Sequence, residues 1–176
     1  MGLSKNKVKF IRSLSKKKFR QKYGKFLAEG DKIVGELIRQ KPGFVDAVYG
    51  TGNWLKTAMP FLQSNEITWE EIGPEALKRV SGLTTPNDVL AVVDMPDFQV
   101  HSSNLRSGLS LFLEDIRDPG NLGTILRIAD WFGLPHVFCS PGCVDGFNPK
   151  VVQASMGAFL RVSFPTATLA DIKDLE

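Results

Sequence analysis

The residues best placed to do chemistry lie close together, in the stretch 110–132, SLFLEDIRDPGNLGTILRIADWF. Glu114 and Arg127 bear charge there, Asn121 and Thr124 are polar, and Gly120 and Gly123 leave the backbone bare. Leu111, Phe112 and Leu113 form an apolar run too short for a helix, so the stretch begins as a strand. Asp118-Pro119-Gly120 is turn chemistry, because proline presets φ and glycine accepts positive φ. Asn121 follows where a helix cap is wanted. Leu122, Ile125, Leu126, Ala129 and Phe132 then recur at helical spacing and define a buried face. Gly133 and Pro135 close the helix. Strand, polar loop and helix in an open α/β sheet place Asn121, Thr124 and Arg127 near a strand's carboxyl end, where ligands bind. An arginine is almost always protonated, so it would position phosphate or stabilise charge rather than abstract a proton. On spacing alone the blander reading of Arg127 is better: an i,i+3 pair with Asp130, worth roughly 0.2–0.5 kcal/mol.

The elements that follow extend the same half. Residues 136–139 read as a strand, 140–147 as a glycine-rich loop, and Asn148-Pro149 as the start of a helix. Residues 159–164 read as a further strand, and Thr168 as the cap of a last helix. In the first half, Ser4 caps a helix with Val8, Ile11 and Leu14 on one face and Phe10 beside them. Residues 25–30 read as a strand, and Asp31 as the cap of a helix burying Ile33, Val34, Leu37 and Ile38. Residues 44–49 and 89–93 are strands and 66–72 an edge strand, with helices over 54–62 and from Pro74 to Val80. This alternation argues a small α/β domain over 25–94. The polar, proline-containing segment 95–107 is the expected linker.

Charge is distributed unevenly. The net charge is +3 over 176 residues, yet residues 1–25 carry ten Lys/Arg and no acid. The remainder carries twelve bases against all 19 acids. A basic helical arm over 1–24 therefore implies a polyanionic partner, and Lys16, Lys17, Lys18 and Arg20 are the candidate phosphate contacts. The two cysteines, Cys139 and Cys143, make no disulfide framework and fit a reducing compartment. With His136 they give too few ligands at too loose a spacing for zinc, so no metal site is expected. His101 falls in the linker. No apolar run reaches the roughly 18 residues of a membrane span. The cytoplasm is the expected location, although the acid-poor, Ser/Lys-rich start also matches an organellar transit peptide. Kinase, dehydrogenase and hydrolase loop motifs are missing.

The pattern E-x(4)-P-x-N-x-G-x(3)-R-x-A-x(2)-F-G runs through Glu114, Pro119, Asn121, Gly123, Arg127, Ala129, Phe132 and Gly133. It resembles the first signature of the SpoU (TrmH-like) RNA ribose methyltransferases of the α/β-knot superfamily. The segment NPKVVQASMGAFLRVSF is similar to the family's next conserved stretch. Ahead of it, Lys18, Arg20, Phe26, Glu29 and Gly30, with LTTPNDVLAVV, resemble the L30e-like substrate-binding domain that precedes many such catalytic domains.

The resemblance implies an α/β chain: an L30e-like RNA-binding domain over 25–94, then the first half of a Rossmann-like α/β-knot domain over 108–176. It implies methyl transfer from S-adenosylmethionine to a ribose 2′-hydroxyl of tRNA or rRNA. Arg127 and Asn121 would be the catalytic residues, with Glu114 and Gly123 supporting the active-site loop. Arg20 and Phe26 would pair to stack an unpaired base. The family's cofactor loops are expected beyond residue 165, and residues 165–176 supply neither. The expectation is therefore that no cofactor-binding residue lies within this chain and that it is inactive alone, while a longer parent dimerises. The alternative is a non-catalytic RNA-binding module; a small-molecule-binding α/β protein is a third, weaker reading.

Overall fold

The computed structural model describes residues 2–98 and 109–173. The chain divides into two compact units, Met1–Met95 and Pro96–Glu176. Most of the expected linker lies outside the described residues.

The first unit holds α1 (Lys5–Ser13), α2 (Lys17–Tyr23), β1 (Lys25–Glu29), α3 (Asp31–Gln40), β2 (Val45–Gly50), α4 (Gly52–Ser64), β3 (Trp69–Glu71), α5 (Pro74–Val80) and β4 (Val89–Asp94). Its sheet runs β1-β4-β2-β3. The central β4 lies antiparallel to β1, with Lys25 opposite Asp94 and Glu29 opposite Leu90, and antiparallel to β2. β3 extends β2 in parallel, as the edge strand expected there. All five residues from Val89 to Val93 are buried, as a central strand covered on both faces requires. Ser4 accepts from the Lys7 N–H at the start of α1, the cap expected from sequence. The chain ahead of β1 is docked into this unit through α1: Leu3, Val8, Ile11 and Leu14 share a core with Leu27, Tyr49, Ile72, Leu77, Leu90 and Val92.

Two local expectations fail here. Asp31 is the first residue of α3, and its cap is Gly30 at φ 101°, backbone that a side chain at this position would strain. Phe44 belongs to a single 3-10 turn, Pro42–Phe44, because Pro42 starts a turn before β2 begins.

The second unit holds β5 (Leu111–Leu113), α6 (Pro119–Trp131), β6 (Val137–Cys139), α7 (Pro149–Ser155) and α8 (Leu169–Lys173). β5 and β6 are parallel, pairing Leu111 with Val137 and Leu113 with Cys139. The expected strand at 159–164 is displaced. Ala158–Leu160 form a 3-10 turn instead, after Met156 and Gly157 leave α7 at φ 49° and 94°. Chain beyond it runs beside β6 only as isolated parallel bridges, His136 to Ser163 and Cys139 to Thr166. Pro165 lies between them and has no N–H to donate, so the ladder is interrupted. Phe98, Phe147 and Phe164 pack ring against ring, at centroid distances of 4.8–6.1 Å. Thr168 caps α8 reciprocally: its Oγ1 accepts from the Asp171 N–H, and the Asp171 carboxylate accepts from the Thr168 N–H.

Candidate active site and basic surface

The loop joining β5 to α6 is held by the loop that follows β6. Leu113 O accepts from the Ser140 N–H at 2.9 Å, and Ile116 O accepts from the Val144 N–H at 2.8 Å. Ser140 Oγ accepts from the Asp115 N–H at 3.0 Å, and the Cys143 thiol donates to Leu113 O at 3.4 Å. Asp115 itself sits at φ 52°, a left-handed conformation that aspartate adopts more readily than most residues with a side chain. Its carboxylate lies so near Gly142 that a Cβ there would fall 1.8 Å from Oδ1. Burial, and after it the neighbouring Cys143, push the Cys139 thiol up to about 12. Partial burial lowers the His136 pKa from its ordinary value.

Asn121 is not the cap of α6. The cap is Asp118, whose Oδ1 accepts from the Asn121 N–H at 2.8 Å, while Pro119 takes the first helical position. Asp followed by Pro is a cap signature in its own right, and it was legible in the sequence. Asn121 is displaced inward to the third helical residue, with its side chain exposed. Glu114 is exposed just past β5; the bonds that hold the loop come from Asp115, Ser140, Cys143 and Val144 instead. Gly123 is buried where α6 meets α7, and a Cβ on it would lie 2.5 Å from Ala154 Cβ.

Arg127 is exposed on the third turn of α6. The pairing with Asp130 that spacing allows does not form. Asp130 instead accepts two hydrogen bonds from Arg161, from Nε and Nη2, both at 2.8 Å. A fork geometry of this kind outcompetes a single flexible contact along one helix. Arg127 is left without a hydrogen-bond or ion-pair partner among the described residues. Beyond it Ile128, Trp131 and Phe132 are exposed at 48%, 85% and 73%. Phe132 therefore departs from the buried face its spacing predicts; it is the residue that caps α6, where the helical period stops controlling direction.

On the first unit, Lys16, Lys17 and Lys18 are exposed, as phosphate contacts must be. Arg20 is not a phosphate contact. It is 2% exposed, and its Nη1 donates to Leu14 O and Ser15 O, both at 2.9 Å. These carbonyls end α1 and have no helical partner, so a buried guanidinium closes the helix. Phe26 is 1% exposed in β1, which rules out the Arg20–Phe26 stacking pair. Glu29, buried at 7% exposure, accepts from the Gly82 N–H at 2.9 Å and from Ser81 Oγ. Among the described residues, no helix is long and apolar enough to cross a membrane. No group of three His, Cys, Asp or Glu could hold a metal there.

A basic α/β unit followed by a unit built on two parallel strands joined through a helix defines a two-part α/β class of protein with a surface suited to a polyanion. Comparison makes the class specific. Residues 5–91 match the MRM3-like substrate binding domain, and residues 108–175 match the SpoU rRNA Methylase family. The chain belongs to the SpoU methylase family. It is 32% identical over 171 residues to rRNA methyltransferase 3, mitochondrial, of Xenopus laevis, covering 93% of this chain and 40% of that protein. It is 31% identical over 156 residues to the Bacillus subtilis 23S rRNA (guanosine(2553)-2′-O)-methyltransferase RlmP, covering 89% of this chain and 60% of that one. A TrmH-family structure from Porphyromonas gingivalis superposes with a TM-score of 0.80 at 40% identity, covering 96% of this chain and 64% of that one. The AdoMet-bound rRNA methyltransferase of Sinorhizobium meliloti shares the fold, with a TM-score of 0.83 at 23% identity, covering 99% and 66%. The chain spans 40% and 60% of the length of these two curated relatives.

Proposed function

We propose that this chain serves S-adenosylmethionine-dependent methylation of a ribose 2′-hydroxyl in structured RNA, with rRNA the favoured substrate. The observation that carries the reading is Arg127: exposed, unpaired, and set behind the β5–α6 loop while Arg161 occupies Asp130. A 2′-hydroxyl is a poor nucleophile, and negative charge grows on its oxygen as the proton leaves. A permanently charged guanidinium stabilises that charge and holds the adjoining phosphate in register. Asn121, six residues nearer the loop on the same helix, would orient the sugar.

Residues 1–24 and 25–94 would bind the RNA and 108–176 would act on it. Buried Ile11 and Leu14 support reading 5–23 as part of the fold rather than as a removable transit peptide. Relatives named as rRNA methyltransferases support the substrate class.

The methyl donor supplies the methyl group; the described residues do not fit it, and the rest of its cradle would come from elsewhere. What supports this is that the backbone groups ending β5 and β6 are spent on each other and on Pro165 and Ala167. Titration of S-adenosylmethionine into the 176-residue chain should show no tight binding; tight binding would refute this point. The exposed face of Ile128, Trp131 and Phe132 supports a second copy as its cover. The activity is tested by mapping 2′-O-methylated riboses in RNA from cells with and without the gene. Loss of a methyl group that wild type restores and Arg127→Ala does not is the expected result. An unchanged map, or full rescue by Arg127→Ala, would sink the proposal. A non-catalytic RNA-binding module would bind the same RNA and leave the map unchanged.

A further inference from the structure

Base recognition, as distinct from phosphate attraction, needs an aromatic face open to solvent, and α2 carries one. Phe19 and Tyr23 are one helical turn apart on the same side of α2, stacked at 6.2 Å with ring planes 14° apart. Tyr23 also meets the edge of Phe10 at 5.2 Å and 72°, and Phe10 packs against the core of the first unit. The ring is thus braced from behind, yet remains 40% exposed. Lys22 places its ammonium 5.4 Å from the Tyr23 centroid. Lys18, one turn before Lys22, is exposed on the adjoining face and has no carboxylate partner among the described residues. No acid occurs within residues 1–25 to compete for either lysine.

We propose that the Phe19–Tyr23 ledge of α2, flanked by Lys18 and Lys22, is a stacking site for an unpaired base of single-stranded or looped RNA. This rests on the RNA-binding reading of the first unit and adds to it where a base, rather than the backbone, is held. A base laid on Tyr23 takes the place of the Lys22 ammonium over the ring, and its flanking phosphates then fall beside Lys18 and the displaced Lys22. The occupant is a polyanion with flat apolar faces; an anionic membrane offers charge without the flat face.

The test uses the full 176-residue chain, an unstructured RNA decamer carrying one 2-aminopurine, and inorganic polyphosphate as a base-free polyanion. Wild type should bind the decamer and quench the 2-aminopurine, because stacking quenches it. Tyr23→Ala and Tyr23→Leu should weaken decamer binding about 5- to 100-fold, abolish the quench and leave polyphosphate binding unchanged. Tyr23→Phe should retain both affinity and quench. Lys18→Gln with Lys22→Gln should instead reduce the dependence on salt, by about 0.7 in logarithmic slope per contact on a single strand. If the decamer binds but Tyr23→Leu changes neither affinity nor quench, the ledge is overturned while RNA binding stands. If the chain binds polyphosphate and anionic vesicles but no RNA in preference to them, both fall.

Discussion

A single methyl group on Gly123 should loosen the second unit. Its Cβ would lie 2.5 Å from Ala154 Cβ and 2.9 Å from both Ser155 N and Val151 O. Two of those three neighbours are backbone atoms of α7, so no rotamer change relieves the clash. The two helices must part by roughly 1 Å to restore ordinary carbon contact. Overpacking of this kind costs about 1–3 kcal/mol, and backbone opposition puts Gly123→Ala toward the upper end. Alanine returns about 0.8–1.0 kcal/mol through its better helix propensity. The net expectation is a loss of about 1–2 kcal/mol, which lowers Tm by about 4–8 °C per kcal/mol in a unit of this size. Gly142→Ala is the contrast. Its Cβ would fall even closer to a neighbour, 1.8 Å from Asp115 Oδ1. That atom is the far end of an exposed side chain that can turn away, so the cost should stay within about 0.5 kcal/mol. Urea unfolding followed by circular dichroism, with hydrogen exchange across α6 and α7, measures both. A Gly123→Ala protein as stable as wild type, or a Gly142→Ala protein that loses more, would refute the claim that what yields, not how close it lies, sets the cost.

Three further outcomes are expected. Arg20→Met removes two charge-assisted hydrogen bonds, one to the buried Leu14 carbonyl and one to the part-buried Ser15 carbonyl, and should cost about 2–4 kcal/mol in urea unfolding, whereas Lys17→Gln should stay within about 0.5 kcal/mol. His136 has its folded pKa depressed by burial, so the unfolded chain binds the proton more readily. Its contribution is complete above the unfolded value near 6.5 and is lost as pH falls through the folded value; thermal unfolding between pH 7.5 and 5 should show this decline, and His136→Gln should flatten it. Cys139, with its pKa near 12, should resist iodoacetamide at pH 7.5 until the chain is unfolded, while half-buried Cys143 is labelled first, as mass spectrometry of digests would report.

Much of the fold could be read from local pattern. The α5 helix from Pro74 to Val80 and the buried β4 followed from proline at a helix start and an unbroken apolar run. The β5–loop–α6 order followed from the change of period after Leu113. Some failures were local, as with Asp118 capping α6 in place of Asn121; others came where neighbours distant in sequence compete for one group. Asp130 was available to Arg127 by spacing and was taken by Arg161, thirty-one residues on. The basic run 16–20 gave no sign that one of its charges points inward, because charge density carries no information on which carbonyls lack partners.

By itself the sequence determined most of the elements and the family, because helix and strand periods and a closely spaced motif are local properties of the chain. Only the tertiary structure decided which charges are free to act. It buried Arg20 beneath the end of α1, engaged Asp130 elsewhere and left Arg127 and Tyr23 open to solvent. The physical reason is that a charge's role depends on the partners folding brings to it, and those partners are set by packing across the chain rather than by spacing along it.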